Sequence, residues 1–391
     1  MGSSLGASFR GFPPSGWIVV LLAALLLATG CDEDDPTEPG PSPSVWQEVE
    51  LDHLPASVAV LDIAFEADRG LALGVAAEPR TQPPSVTMTS RQAQTGPALL
   101  LEQGADGTWT QAGADAPPAW GWVMELALGL TGEAVFVGFD RDGMSATARI
   151  EDRRPASPTV FSGSGALTTI DADGTFMVAG GLFPRGILWS STAPGSWQED
   201  DPPLTGSGES GFWDVDVRGD RAVACGFDDG ADTLRVLVQR TRTGPWQKVD
   251  LAGSGTFGVS FRSVAVDDAG AIYVGGTLGA GGLDARAYLA LRSAGGEWTE
   301  VALPDAQGLG RVNDILLAED GSIYLACSGE LEDATATVVH GSPSAVEREV
   351  TPFPGELFQL AQSPDGTVYA VGLRREEPGG EERGIILRRP G

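Results

Sequence analysis

Four carboxylates stand at matched places in a repeating pattern. Asp62, Glu125, Asp214 and Asp314 each precede a turn glycine by five to eight residues, and Thr168, Ser263 and Gln359 hold the same place in three further copies. Acidic groups gathered on one wall offer oxygen ligands to a cation such as calcium, or acceptors to a cationic or polyhydroxylated ligand. Polar groups lining a wet channel require no ligand, so a solvated ring is the competing reading. Trp120, Trp122, Phe212, Trp213 and Phe261 fall close to the same places. Aromatics beside polar groups suit sugar or peptide binding, and they equally suit packing between sheets.

Other reactive types are scarce. The two histidines, His53 and His340, are far apart, so a Ser-His-Asp arrangement has little to draw on. The cysteines are Cys31, Cys225 and Cys327, with no zinc-ligand spacing. No catalytic residue and no resident cofactor is assigned. The metal question stays open, with calcium at the acidic ring as its one concrete form.

The elements that must position these groups are short strands. A phrase recurs in which a turn ending in glycine leads into an apolar strand closed by a small residue. It reads EADRGLALGVA (66–76), LTGEAVFVG (130–138), DADGTFMVAG (171–180) and VRGDRAVACG (217–226), then DDAGAIYVGG (267–276), AEDGSIYLAC (318–327) and SPDGTVYAVG (363–372). Asp-Gly between apolar strands is a strong hairpin signal, because such turns require φ > 0. Another strand precedes each phrase and a third follows it. A fourth, headed by tryptophan in GTWTQA, GSWQED, GPWQKV and GEWTEV, completes the unit, and the pattern degrades near 158–163 and 345–350. Four short strands per unit, seven times over, predict an all-β fold: a seven-bladed β-propeller of four-stranded antiparallel blades.

The seventh unit ends at RGIILRRPG without a fourth strand, whereas SVWQEVEL (44–51) matches the fourth-strand phrases PWQKVDL and EWTEVAL. The N-terminal strand is therefore expected to pair in the last blade and close the ring, which removes an exposed sheet edge. An open array of hairpins is the alternative. The glycine-to-tryptophan turns of STAPGSW (191–197) and RSAGGEW (292–298) resemble a worn Asp-box, as in sialidase-like propellers, without its aspartate. That resemblance concerns scaffolding over 45–391. A sialidase-like glycosidase would need an arginine cluster, a nucleophilic tyrosine with its glutamate, and an acid aspartate.

Six residues past each turn glycine stands a small residue: Ala76, Gly138, Gly180, Cys225, Gly276, Cys327 or Gly372. The expectation is close packing between neighbouring sheets there, with Cys225 and Cys327 as small hydrophobes two blades apart and unbridged. Tyr273, Tyr324 and Tyr369 share one strand position, which reads as packing. The RGD at 218–220 reads as a turn.

The N-terminus carries an address. WIVVLLAALLLA (17–28) is too short to span a bilayer and reads as a signal-peptide core. LATGC (27–31) resembles the lipobox of bacterial lipoproteins, although Ala28 stands where leucine is usual. That resemblance implies cleavage of residues 1–30 and a lipid on Cys31; an ordinary cleaved signal peptide is the alternative. Residues 31–44, acidic and proline-rich, form a disordered tether, and 45–391 form the folded domain.

The chain carries 54 Asp and Glu against 25 Lys and Arg, a net charge of −29, and its one lysine is Lys248. No basic stripe is available to phosphates, so nucleic acid is excluded as a partner. Together these features point to a non-catalytic, lipid-anchored protein of the bacterial envelope, monomeric, binding an envelope protein or a saccharide or peptide ligand through its propeller face. The alternatives are a scaffold or assembly factor, working through the loops 77–97 and 226–234 and the acidic 374–382 segment, and a sialidase-like hydrolase at the channel mouth.

Overall fold

The computed structural model describes residues 46–390, less 52–53, 55–57, 67–68, 77–97, 113–119, 130–132, 141–144, 152–153, 156–158, 161–165, 183–184, 194–195, 206–207, 229–232, 253–257, 280–284, 305–308, 330–334, 350–352 and 377–381. Residues 1–45, on which the expected signal peptide, the lipidation site Cys31 and the expected tether fall, lie outside the described residues.

The described strands pair antiparallel in seven four-stranded sets. Their innermost strands are Val58–Glu66, Trp120–Gly129, Ala166–Asp173, Ser210–Arg218, Val259–Val266, Arg311–Leu317 and Phe353–Gln362, which define blades 1 to 7. Each innermost strand packs beside the next, and Val58–Glu66 touches both Trp120–Gly129 and Phe353–Gln362, so the ring closes. The outer strand of blade 2 is reduced to Thr159–Val160, and Arg154–Pro155 also pairs with its third strand, Ser145–Glu151. The other unit expected to degrade keeps a regular outer strand, Ala345–Arg348.

Closure uses the N-terminal segment, as the phrase match predicts. Gln47 pairs with Arg388 and Glu48 with Leu387, and the Val49 N–H donates to the Ile386 carbonyl at 2.8 Å. Trp46 is buried against Tyr324, ring centroids 6.3 Å apart, and its indole N–H donates to Glu349 of blade 6 at 2.8 Å. The same device recurs around the ring. Trp246 of blade 4 donates to Asp200 of blade 3, and Trp298 of blade 5 donates to the Asp250 carbonyl of blade 4. In these three the ring covers the preceding blade while the N–H finds an acceptor there. Trp109 of blade 1 packs on Tyr369 of blade 7 in the same way, but its N–H has no hydrogen-bond partner among the described residues.

The apolar cores lie between blades. Phe176 and Leu188 of blade 3 pack with Val236 and Trp246 of blade 4, and Tyr369 of blade 7 packs with Trp109 of blade 1. Cys225 and Cys327 sit in two such cores with free thiols, and burial pushes both thiol pKa values up, that of Cys327 to about 12. They are inert fillers.

Five of the expected turn glycines, Gly174, Gly219, Gly270, Gly321 and Gly366, have φ between 62° and 85°. Gly132 lies outside the described residues. Gly70 does not act as a turn residue: it stands within the strand Arg69–Ala76, under the Phe65 ring, where a Cβ would approach that ring to 2.6 Å. At the small-residue position the expected sheet-to-sheet packing holds for Gly180, where a Cβ would meet Val215 Cγ1 of the next blade at 3.1 Å, and for Cys225 and Cys327 in their cores between blades. At Gly276 and Gly372 the cause is different: a Cβ would meet the carbonyl oxygen of Ser260 or Glu356, on the innermost strand of the same blade, at 2.0 Å, and at Gly226, one residue past Cys225, it would meet the Gly211 carbonyl at 1.9 Å in the same way.

Candidate functional site on the channel wall and loop face

That carbonyl is pushed over the glycine by a β-bulge. Each of the seven innermost strands carries one, after Val60, Val123, Leu167, Phe212, Phe261, Val312 and Leu357. The first residue to regain register is Asp62, Glu125, Thr169, Asp214, Ser263, Asp314 or Gln359. The ring of polar positions read from the sequence is thus a structural position, with one correction. Blade 3 contributes Thr169, and Thr168 is the bulged residue.

Three of the acids perform an identifiable task. An innermost strand has one edge in its blade's ladder and one facing the channel, whose N–H groups need acceptors. The Leu126 N–H of blade 2 donates to Asp62 Oδ2 of blade 1 at 2.6 Å. The Val264 N–H of blade 5 donates to Asp214 Oδ2 of blade 4 at 2.8 Å, and the Leu360 N–H of blade 7 donates to Asp314 Oδ2 of blade 6 at 2.7 Å. Asp62 and Asp214 also accept the N–H of the residue that follows them, at 2.7 and 2.9 Å. Asp62 and Asp314 are only 2% and 6% exposed. Glu125 holds the equivalent place in blade 2 at 4% exposure. Ser263 Oγ is buried without a hydrogen-bond partner among the described residues. Each of these three aspartates is therefore a clasp onto the next blade's free edge.

A second row, two residues further along, was not singled out from the sequence. The Val217 N–H donates to Asp171 at 2.5 Å, the Val266 N–H to Asp216 at 2.7 Å, and the Gly219 N–H to Asp173 at 2.7 Å. Its signal was available in the alternation DAD (171–173) and DVD (214–216), which places acids on one face of a strand. Burial lifts the Asp171 carboxyl to about 6, against the lowering effect of the Val217 and Ala172 N–H groups, and the neighbouring Asp173 and Asp62 charges add to the rise. Asp216 is pushed up in the same direction, first by burial and then by Asp171. Among the described residues, no group of three or more His, Cys, Asp or Glu is arranged to hold a metal ion.

The tyrosines pack between blades. Tyr324 lies between Trp46 and His340, and its hydroxyl accepts from Arg389. Tyr369 lies against Phe65 and Trp109 and accepts from Gln103 at 2.9 Å. Burial raises the Tyr273 and Tyr324 pKa values, so these phenols stay protonated. RGD (218–220) is the hairpin turn of blade 4, where Arg218 pairs with Asp268 at 2.9 Å.

The two ends of the ring differ. One end carries the turns between innermost and second strands, such as 219–220, 267–271, 318–322 and 363–367, and both chain ends leave from it, since Gln47 pairs with Arg388. The opposite end carries the connections between second and third strands, among them 77–97, 229–232, 280–284, 330–334 and 376–381, and every crossing from an outer strand to the next blade. Of the segments marked out in the sequence, 77–97, 229–232 and 377–381 lie outside the described residues, and the strand ends that flank them are at this end. Their extent is smaller than expected, because 226–228, 233–234, 374–375 and 382 belong to strands. Long connections on a rigid scaffold are where binding residues concentrate.

No family model matches this sequence, and no curated protein matches it. Solved structures do. The chain superposes on a structure described as YCF48 bound to D1 peptide with a TM-score of 0.54 at 14% identity, covering 89% of this chain and 97% of that one. The WD40 β-propeller domain of Doa1 gives 0.57 at 12% identity, covering 88% and 96%. A chain of the mitotic checkpoint complex gives 0.55 at 12% identity, covering 95% and 98%. At these identities the likeness shows the fold, a β-propeller.

Proposed function

We propose that this chain is a lipid-anchored protein of the bacterial envelope whose propeller binds a protein or peptide partner through its loop-bearing end, without chemistry of its own. One observation carries the reading. Three of the four channel acids that a catalytic or metal-binding account would use, Asp62, Asp214 and Asp314, are spent on backbone N–H groups, whereas the strand ends that flank the longest connections lie at one end of the ring. The tyrosines that a sialidase-like mechanism would draw on are interblade packing groups. Two of the similar structures hold a peptide or belong to a multiprotein complex, which supports a binding role for this shape.

The test is capture from the native envelope with the full-length chain tagged at its C-terminus, followed by photo-crosslinking from single sites. Crosslinks from loop-end positions such as Arg286 to one recurrent protein are expected, with none from turn-end positions such as Asp268. Crosslinks confined to the turn end would overturn the assignment of the face. Hydrolysis of a glycoside panel by the purified domain, abolished by Asp62→Ala, would overturn the non-catalytic reading.

A further inference from the structure

The repeat supplies its own control for what holds neighbouring blades together. Two devices recur: a channel acid that accepts an N–H of the next blade, and a fourth-strand tryptophan whose ring covers the preceding blade. Blades 3 and 4, blades 4 and 5, and blades 6 and 7 are joined by both. Blades 1 and 2 have the Asp62 clasp. Trp197 packs on the core shared by blades 2 and 3, and Trp109 packs on Tyr369 where blades 7 and 1 meet.

The boundary between blades 5 and 6 has neither. In blade 5, Ser263, Ala265 and Asp267 hold the places that Asp214, Asp216 and Arg218 hold in blade 4. Ser263 Oγ is fully buried with no partner among the described residues. It leans over Gly275, where a Cβ would meet it at 2.5 Å and Val312 Cγ1 of blade 6 at 2.6 Å. Ala265 has no acceptor to offer. Asp267 turns back on its own hairpin, accepting the Ala271 N–H at 2.7 Å. Further out, Val346 stands where a tryptophan would. It lies opposite Gly341 as Trp298 lies opposite Arg292, and Gly341 and Arg292 in turn face Ile323 and Ile272, each two residues past its turn glycine. What remains is an apolar core, built from Tyr273, Leu289 and Val301 of blade 5 against Val312, Leu325 and Val339 of blade 6. Apolar contact is non-directional, and a buried hydroxyl without a partner weakens it.

We propose that the ring parts between blades 5 and 6, and not at blade 7, where the two chain ends meet. The chain-end closure is the more heavily tied of the two. Trp46 and Arg389 both bond Glu349, and Glu48 pairs with Arg374 and Arg383. Folded proteins open locally where such ties are fewest. Parting here moves the loop-end strand ends of blade 5, Leu278 and Arg286, against those of blade 6, Ser328 and Thr335. The device therefore lies within the end assigned to partner binding, but it does not depend on that assignment.

Two thiols serve as reporters. Cys225 lies in the core between blades 4 and 5, and Cys327 in the core between blades 5 and 6. Both are free and fully buried, so each reacts only when its surroundings open. The experiment is alkylation of the full-length chain in native buffer, with each cysteine followed by peptide mass spectrometry and Cys31 read separately. Cys327 should be modified about tenfold or more faster than Cys225, the effect of one charged hydrogen bond. In parallel hydrogen exchange, the amides of Arg311–Leu317 should exchange before those of Glu382–Arg389. Ser263→Asp restores the acid and Val346→Trp restores the tryptophan, and thermal melts confirm that each variant folds. Each should slow Cys327 by about tenfold and leave Cys225 unchanged. Equal rates, a faster Cys225, or earlier exchange at the blade 7 closure overturns the proposal. So do folded variants in which Cys327 reacts as in wild type; if Ser263→Asp does not fold, Val346→Trp and the wild-type rates still decide.

Discussion

Replacing Asp62 by Asn isolates the clasp at the first blade boundary. The two side chains are nearly the same shape, so packing is preserved. Asp62 accepts two backbone N–H groups, from Ile63 at 2.7 Å and from Leu126 of the next blade at 2.6 Å, in a site where it is 2% exposed. An Asn oxygen serves one of them, and its amide then turns a donor toward the other. The loss is one charge-assisted bond plus a buried N–H without an acceptor, about 3 kcal/mol together. Folded domains lose ~2.1 cal/mol/K of entropy per residue, so over roughly 345 residues this corresponds to a fall in Tm of about 4 °C. The assays are thermal and urea unfolding, with amide hydrogen exchange read at Leu126. Protection should fall at Leu126 and much less at Val264, which belongs to the Asp214 clasp. Asp106, an exposed turn carboxylate bonded to Thr108, is the control, and Asp106→Asn should leave the melt near wild type. An Asp62→Asn protein within about 0.5 kcal/mol of wild type, or one whose Leu126 amide exchanges unchanged, refutes the account of the acidic ring as a set of clasps.

The second row predicts an unusual pH dependence. Asp171 is raised to about 6 in the fold, so between its ordinary 3.8 and that value the folded chain binds more protons than the unfolded one. Stability should therefore fall as pH rises through this window, by on the order of 3 kcal/mol, and Asp171→Asn should flatten the slope measured by urea unfolding at pH 4.5 and 7. Trp46→Ala removes the buried ring that seals the last blade and should cost about 3–5 kcal/mol, read as a lowered urea midpoint. Cys31→Ser should move the protein from the membrane fraction to the soluble one and abolish labelling by a tagged fatty acid; retention of both would refute lipid attachment.

The parts legible in the sequence were those whose cause is local. Asp-Gly turns at 173–174, 320–321 and 365–366 announce hairpins, and the tryptophans at the heads of four fourth strands, Trp109, Trp197, Trp246 and Trp298, allowed the N-terminal segment to be matched to the missing strand of the last blade. The polar ring was found by counting back from turn glycines, and the distance from bulge to glycine varies between blades, being five residues from Thr169 to Gly174, which is why Thr168 stood in for Thr169. The role of Asp62, Asp214 and Asp314 was not legible, because each acceptor's donor lies on the following blade, far along the chain. Gly276 and Gly372 looked like contacts between sheets, since only the bulge reveals a carbonyl of their own blade pressing on them.

Both chain ends contribute to one blade, and this sets the order in which the molecule can be finished. Gln47 waits for Arg388, and closing so long a span costs about 5 kcal/mol of chain entropy before the final ladder returns it. Until Glu382–Arg389 has been synthesised, the ring cannot seal, and so the polypeptide remains threadable for as long as it is being made.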